Sequence, residues 1–360
     1  TWTEPESRDP LLGYWWPLKP RDPAIAIAAI RDHLAGLVAG PPAVRTAALG
    51  LAAELGIAEA AEGLLATFGD PAAGASRRSQ TLRALAILES DELESLIEAG
   101  LSDPEPTVRI VAREILAERD PQAALLAVEE ALRKGNIREQ QAAFDLLAAL
   151  PESEPRKALL EQASESLLGG AIDKQLQLEV LEAVERCGHA YLREKVVQFH
   201  HQLPAQDPIR GYRETLSGGD ALRGRALFFY RTELACVRCH KVEGQGGAVG
   251  PDLSRVGAEK TRRYLLTSLL TPSTDVDPRY ATWELETPDG QMVTGLKIAD
   301  GNSIELLQAD GRKLSFRRDQ IESLRMIRQS AMPDDVAGKL TRRELRDLVA
   351  FLAALGKPAP

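Results

Sequence analysis

Long apolar runs are missing from this 360-residue chain. The stretch 23–30 is among the longest and falls far short of the roughly 20 residues that cross a bilayer, so no membrane span is expected. Position 1 is Thr, and no basic segment leading into an apolar one follows it, so no export signal is readable. Cysteine is scarce, with three residues at 187, 236 and 239. Cys187 sits near a predicted helix end and reads as an inert, half-buried thiol. Residues 1–210 contain no nucleophile–base pair and no Gly-rich phosphate loop, so they present no catalytic constellation. Strand signals are absent from 23 to about 203. Positive charge is also short there: residues 1–209 carry 20 Lys/Arg against 33 Asp/Glu, while 210–360 carry 24 against 20. An acidic first part argues against nucleic acid as a partner. The mildly basic second part suits an acidic one. What is present, 44% hydrophobic and 27% charged residues, describes a soluble globular chain of two or three domains.

The first part is rich in helix formers with apolar residues at three- and four-residue spacing. Five segments share a polar or basic start followed by a run of small and large apolar residues: 43–56, 80–91, 107–119, 138–150 and 174–187. Their starts lie 37, 27, 31 and 36 residues apart. Asp70-Pro71, Asp103-Pro104, Asp120-Pro121 and Pro151 punctuate them. Helix pairs repeating at such spacing predict an α-solenoid over 23–203, each pair burying its apolar face on its neighbours. The segments resemble HEAT repeats, above all 103–119 with its Asp-Pro turn and Val108-Arg109 pair. The lead segment 1–22 is Pro-rich and holds Trp2, Tyr14, Trp15 and Trp16. It is expected to be an arm capping the first helix pair, with a docking strip for an upstream domain as the other reading. Residues 204–218, with Pro and Gly and no period, read as a linker.

Cys236-Val237-Arg238-Cys239-His240 is a CxxCH motif. Two thiols at this spacing add to the two vinyl groups of a porphyrin, and the adjacent His turns its imidazole to the iron. A zinc half-site and a redox dithiol are the competing readings. Zinc requires further thiolate or imidazole ligands at short spacing, and no second Cys pair exists. One covalent haem c, with iron held by His240, is therefore expected.

Around the motif, 219–230 reads as a helix capped by Asp220, with Gly224 and Phe228 on one face. Residues 247–257 form a Gly/Pro loop, 258–270 an amphipathic helix, and 341–355 a final helix opened by a Thr341/Glu344 capping box. Between them, 280–327 reads as strands at 281–287, 291–298, 303–308 and 312–317. Asp289-Gly290, Asp300-Gly301 and Asp310-Gly311 separate these as hairpin turns. The expectation is a small antiparallel meander, open or closed into a barrel, inserted at the haem edge. His240 and Met332 are 92 residues apart, and 44 once the 48-residue insert is set aside.

In its element order this second part resembles class I cytochrome c. The resemblance implies that Gly224, Phe228 and Phe351 mark the crossing of the first and last helices. It also implies that the Pro251 carbonyl accepts a hydrogen bond from His240, and that Met332 is the distal iron ligand. CxxCH, the Gly250-to-Leu253 loop, the Pro272-Ser273 turn, the Asp-Gly-rich insert and Ser330-x-Met332-Pro333 together resemble the haem-binding domain of the planctomycete, Pirellula/Verrucomicrobium type over about 217–357. In that group HEAT-like repeats often precede the cytochrome, and a sugar- or alcohol-dehydrogenase-like propeller often lies further upstream.

The fold class expected is thus mainly α: a HEAT-like solenoid over 23–203, then a cytochrome c domain over 219–360 carrying a β insert at 280–327. The expected function is electron transfer to a redox partner protein, as the exit module of a larger periplasmic or otherwise exported dehydrogenase. Covalent haem is attached outside the cytoplasm, so a removed leader or a longer parent chain is implied; the longer chain is the expectation. A haem enzyme or sensor with a labile distal ligand, and a solenoid scaffold with an accessory haem, are the other function classes. Met292, Met326, His189, His200 and His201 are the alternative ligands, the histidines being expected at exposed helix ends. If the haem is covalent, the intact mass will exceed the chain mass by one haem and acidified acetone will leave the pigment on the protein. Free extraction would remove the c-type assignment.

Overall fold

A computed structural model describes residues 22–308 and 311–357. Residues 1–21 of the lead segment 1–22 and Asp310 of the third Asp-Gly pair lie outside the described residues. Helices dominate, and one five-stranded antiparallel sheet interrupts them. The chain divides into two compact units, Thr1–Leu159 and Leu160–Pro360.

In the first unit, helices Pro42–Glu54, Ala75–Ile87, Pro106–Arg119 and Ile137–Ala149 pack each against the next, with the intervening helices laid beside them. Their starts, at 42, 75, 106 and 137, space more evenly than the sequence segments do. The second begins five residues before the expected 80, because Gly74 and not a polar cluster opens it. Local chemistry sets the ends. Pro occupies the first turn of two of these helices and of the intervening helix Pro121–Lys134, where its missing N–H costs nothing. Asp120 caps Gln122 and Ala123, and Asn136 forms a capping box with Glu139.

Glu139 also joins neighbouring helices. It is almost fully buried, and its carboxylate accepts a bidentate pair from Arg109 at 2.8 and 2.7 Å and two bonds from Arg113 at 3.1 Å. The Arg109 donors lead in holding its carboxyl down at about 2. Such a pair replaces water for both charges, so deleting one partner strands the other.

The second unit begins earlier than the sequence implied. Helix Gln177–Cys187 is tied to the closing helix Arg342–Ala354, Arg346 meeting buried Glu179 at 2.7 and 3.1 Å and Arg343 meeting Glu182 at 2.6 Å, and helix Ala190–His201 packs on Gln177–Cys187. Residues 204–218, read as a linker, are a strap. Ile209 is 1% exposed in the unit's core, and Arg262 donates to the carbonyls of Leu216 and Gly218. Pro and Gly marked irregular backbone there correctly, but irregular backbone can be buried. His200, expected at an exposed helix end, is half-buried and bonded to the Arg210 carbonyl at 3.0 Å.

The opening helix Ala221–Tyr230 crosses the closing helix at Gly224. A Cβ there would sit 2.0 Å from the Asp347 carbonyl oxygen. Phe228 and Phe351 pack beside the crossing with ring centroids 5.6 Å apart. Asp347 completes it, its carboxylate accepting from the Asp220 N–H at 2.7 Å and Arg223 Nε at 2.8 Å.

A two-residue ladder, β1 (Lys241–Val242) and β2 (Gln245–Gly246), follows the CxxCH turn. The sheet consists of β3 (Ala281–Glu286), β4 (Met292–Asp300), β5 (Ser303–Leu307), β6 (Lys313–Arg317) and β7 (Ser323–Ser330), ordered β6-β5-β4-β3-β7. Four strands match the sequence reading within two residues. The fifth, β7, lies partly beyond the expected insert, and its sequence shows no apolar alternation because most of its side chains are exposed. The first turn is a three-residue loop, not a two-residue one: Thr287 pairs with Gln291, and Gly290 alone takes positive φ, at 82°.

β6 and β7 are opposite edges, yet only 318–322 join them. In a flat sheet those edges would stand ~19 Å apart, about the full reach of that link. Arg318–Gln320 spends part of the link on a 3-10 turn. The sheet is therefore curled around Leu285, Val293, Ile304 and Leu306, with Ile321 packed on this core. It stops short of a closed barrel, since among the described residues β6 and β7 do not pair.

Glu139→Gln should destabilise the first unit by about 3 kcal/mol at neutral pH, read as a lower urea midpoint by far-UV circular dichroism. The depressed pKa makes this stabilisation complete above about 4.5 and lost as pH falls toward about 2. The gap between wild type and variant should close over that window.

Candidate functional site

The CxxCH segment forms one helical turn, Cys236–Cys239, after Leu234, which is buried in the core. Ala235 precedes it in the left-handed region at φ 51°, a conformation that costs a non-glycine residue about 1–2 kcal/mol. The turn directs both thiols and the His240 ring toward two adjoining cavities of about 360 and about 770 Å³. Both volumes fall within the ~300–1,000 Å³ usual for cofactor pockets. Cys236, His240, Pro251, Tyr280, Ser330 and Met332 line both. Leu348 and Leu352 of the closing helix form part of the wall of the larger one.

His240 is oriented from behind. Its Nδ1 lies 3.0 Å from the Pro251 carbonyl oxygen. A carbonyl only accepts, so Nδ1 carries the proton and Nε2 keeps its lone pair. Burial pulls the imidazole below its ordinary pKa, against the pull of that carbonyl. The Gly-Pro loop can come so close because residue 250 has no side chain: a Cβ there would lie 2.6 Å from His240 Cε1. A neutral imidazole with one nitrogen tied back and the other free is the form in which His binds a metal.

The thiols carry no sign of redox activation. Burial pushes Cys236 up to about 11 and also raises Cys239. Reactive dithiols have depressed pKa values. Among the described residues no group of three or more His, Cys, Asp or Glu side chains is placed to hold a metal ion, so the zinc reading gains no further ligands. The residues present do fit a haem: two thiols at the required spacing, an oriented imidazole and a cleft of cofactor size walled in part by Val249, Leu348 and Leu352.

The site residues taken from the sequence fall in one place. Met332 lines both cavities and packs on the core. Met292 and Met326 lie on the sheet, 49% and 44% exposed, and line neither. Sequence reasoning missed Tyr280, which closes the cleft at the root of β3. It also missed the contact by which the insert reaches the site: Leu296 of β4 and Leu307 of β5 pack with Val249, against Cys239 and Tyr280. Leu296 and Leu307 looked like ordinary strand residues. Only the sheet's curl shows that the face bearing them is the one turned to the cysteine.

A family model for cytochrome c matches residues 221–304. The match takes in the opening helix, CxxCH, the Gly-Pro loop and the first strands, and it ends before Met332. A comparison with curated proteins found no match. Residues 221–304 thus carry a c-type cytochrome domain, which implies covalent haem c with its iron.

Gly250→Ala should push the His240 ring off its carbonyl partner. The expected outcome is a several-fold loss of incorporated haem, read as the ratio of haem to protein absorbance. Wild-type loading would show that the loop has room that the distances deny.

Proposed function

We propose that this chain is an electron-transfer cytochrome in which Cys236 and Cys239 hold one haem c, His240 is the proximal ligand and Met332 the distal one. The observation that carries the reading is the joint lining of one cleft by the tied-back His240 and by Met332. When bound, haem would supply a one-electron couple, and ligation by His240 and Met332 would raise its potential. The chain's own residues orient the imidazole through Pro251, supply an apolar part of the wall through Val249, Leu348 and Leu352, and cover the Cys239 side with the sheet.

The first unit, in this proposal, is a HEAT-like solenoid. Successive contacts between equivalent helices at 42, 75, 106 and 137 support it. A solenoid offers an extended surface for a protein partner. The resemblance to the planctomycete-type domain supports a dehydrogenase as that partner and an exported location, where covalent haem attachment takes place. No described helix is long and apolar enough to cross a membrane. A domain layout with repeats from 23 and the haem domain over about 219–360 belongs to the same proposal, with the helices at 177–201 serving as the haem domain's base.

Met332→Ala should leave the haem covalently bound, lower the reduction potential and open the ferrous iron to carbon monoxide. Met292→Ala and Met326→Ala should do none of these. Unchanged spectrum, potential and carbon monoxide binding in Met332→Ala would assign the distal position elsewhere.

A further inference from the structure

The segment that carries Met332 is short and tied at both ends. Pro333 follows it, which removes one N–H and biases Met332 itself toward extended backbone. Ser330 precedes it by two residues. The Ser330 hydroxyl accepts from the Met332 N–H at 3.1 Å, and the Ser330 N–H donates to the Ser273 hydroxyl, also at 3.1 Å. Ser273 belongs to the turn that ends helix Arg262–Leu270. Ser330 also pairs with Ala281, the first residue of β3, where the ladder shifts register. Three pieces of chain therefore meet at one serine: the end of a core helix, the entry to the β insert and its exit.

We infer that Ser330 is a positioning residue for the distal ligand. By fixing the Met332 backbone to Ser273 and to the root of the sheet, it holds the thioether where it reaches the iron. This rests on Met332 being that ligand. The physical need is plain. A methionine side chain has three rotatable bonds, so a loose backbone would add its own disorder to the cost of seating sulfur on metal. A hydroxyl bonded to an N–H two residues on is also a common turn device with no further role, and the experiment must separate the two. One neutral hydrogen bond is worth about a factor of five in an equilibrium.

The test uses the full-length holoprotein. Carbon monoxide is titrated into the ferrous form and the midpoint potential is measured, with thermal melting as control. Ser330→Ala should bind carbon monoxide about fivefold more tightly than wild type and show a lower potential, with its melting temperature little changed. Ser330→Thr keeps the hydroxyl and should behave as wild type. Ser273→Ala should shift both readouts the same way by less; that residue is exposed, so this variant decides the matter if Ser330→Ala fails to load haem. Should Met332→Ala leave carbon monoxide binding unchanged, the ligand assignment itself fails. Should Met332→Ala open the iron while Ser330→Ala and Ser273→Ala match wild type, the positioning role is overturned and the ligand assignment stands. Equal loosening in Ser330→Ala and Ser330→Thr also overturns it, because the hydroxyl would then be irrelevant.

Discussion

At Gly224 two helix backbones touch with no space for a side chain between them, and the second unit is organised around that contact. Helices normally keep axes 8–10 Å apart because side chains intervene. Here the missing Cβ lets the Asp347 carbonyl close on the opening helix, and Asp347 then uses its carboxylate to bind the same helix's first turn. The closing helix, once fixed, presents two different faces. Leu348 and Leu352 turn to the cleft that His240 enters. Arg342, Arg343 and Arg346 reach Glu214, Glu182 and Glu179. One helix therefore joins an apolar wall to three ion pairs, of which Arg346–Glu179 is buried on both sides.

The β insert is not an independent appendage. Its strands enclose a small apolar core of their own, yet Leu296 and Leu307 turn outward to Val249 beside Cys239. Its entry and exit strands pair directly, Ala281 with Ser330, so the chain leaves and rejoins the cytochrome fold at nearly one point. An insertion with adjacent ends adds little loop-closure cost to the fold that hosts it. That accounts for a 48-residue interruption between the CxxCH motif and Met332.

Much of this was legible in the sequence because it rests on local chemistry. The CxxCH spacing, the Asp220 cap, the Thr341/Glu344 capping box and four of five strands each follow from residues a few positions apart. Features set by distant contact were not. The strap at 204–218 carries Ile209 into the core, but its sequence has the composition of an exposed connector. Glu179 is one more acidic residue on an acidic helix until Arg346, 167 residues later, comes to face it. β7 shows no alternation because its partner β3 supplies the buried side of the pairing.

The crossing at Gly224 also fixes an order of events. Asp220 and Asp347, which bind each other there, lie 127 residues apart. At ~5–20 residues per second the ribosome needs roughly 6–25 s to make that interval. For all that time the opening helix and the CxxCH turn exist without the helix that completes their core. Until it is made, Leu348 and Leu352 are missing from the wall of the cleft that His240 enters.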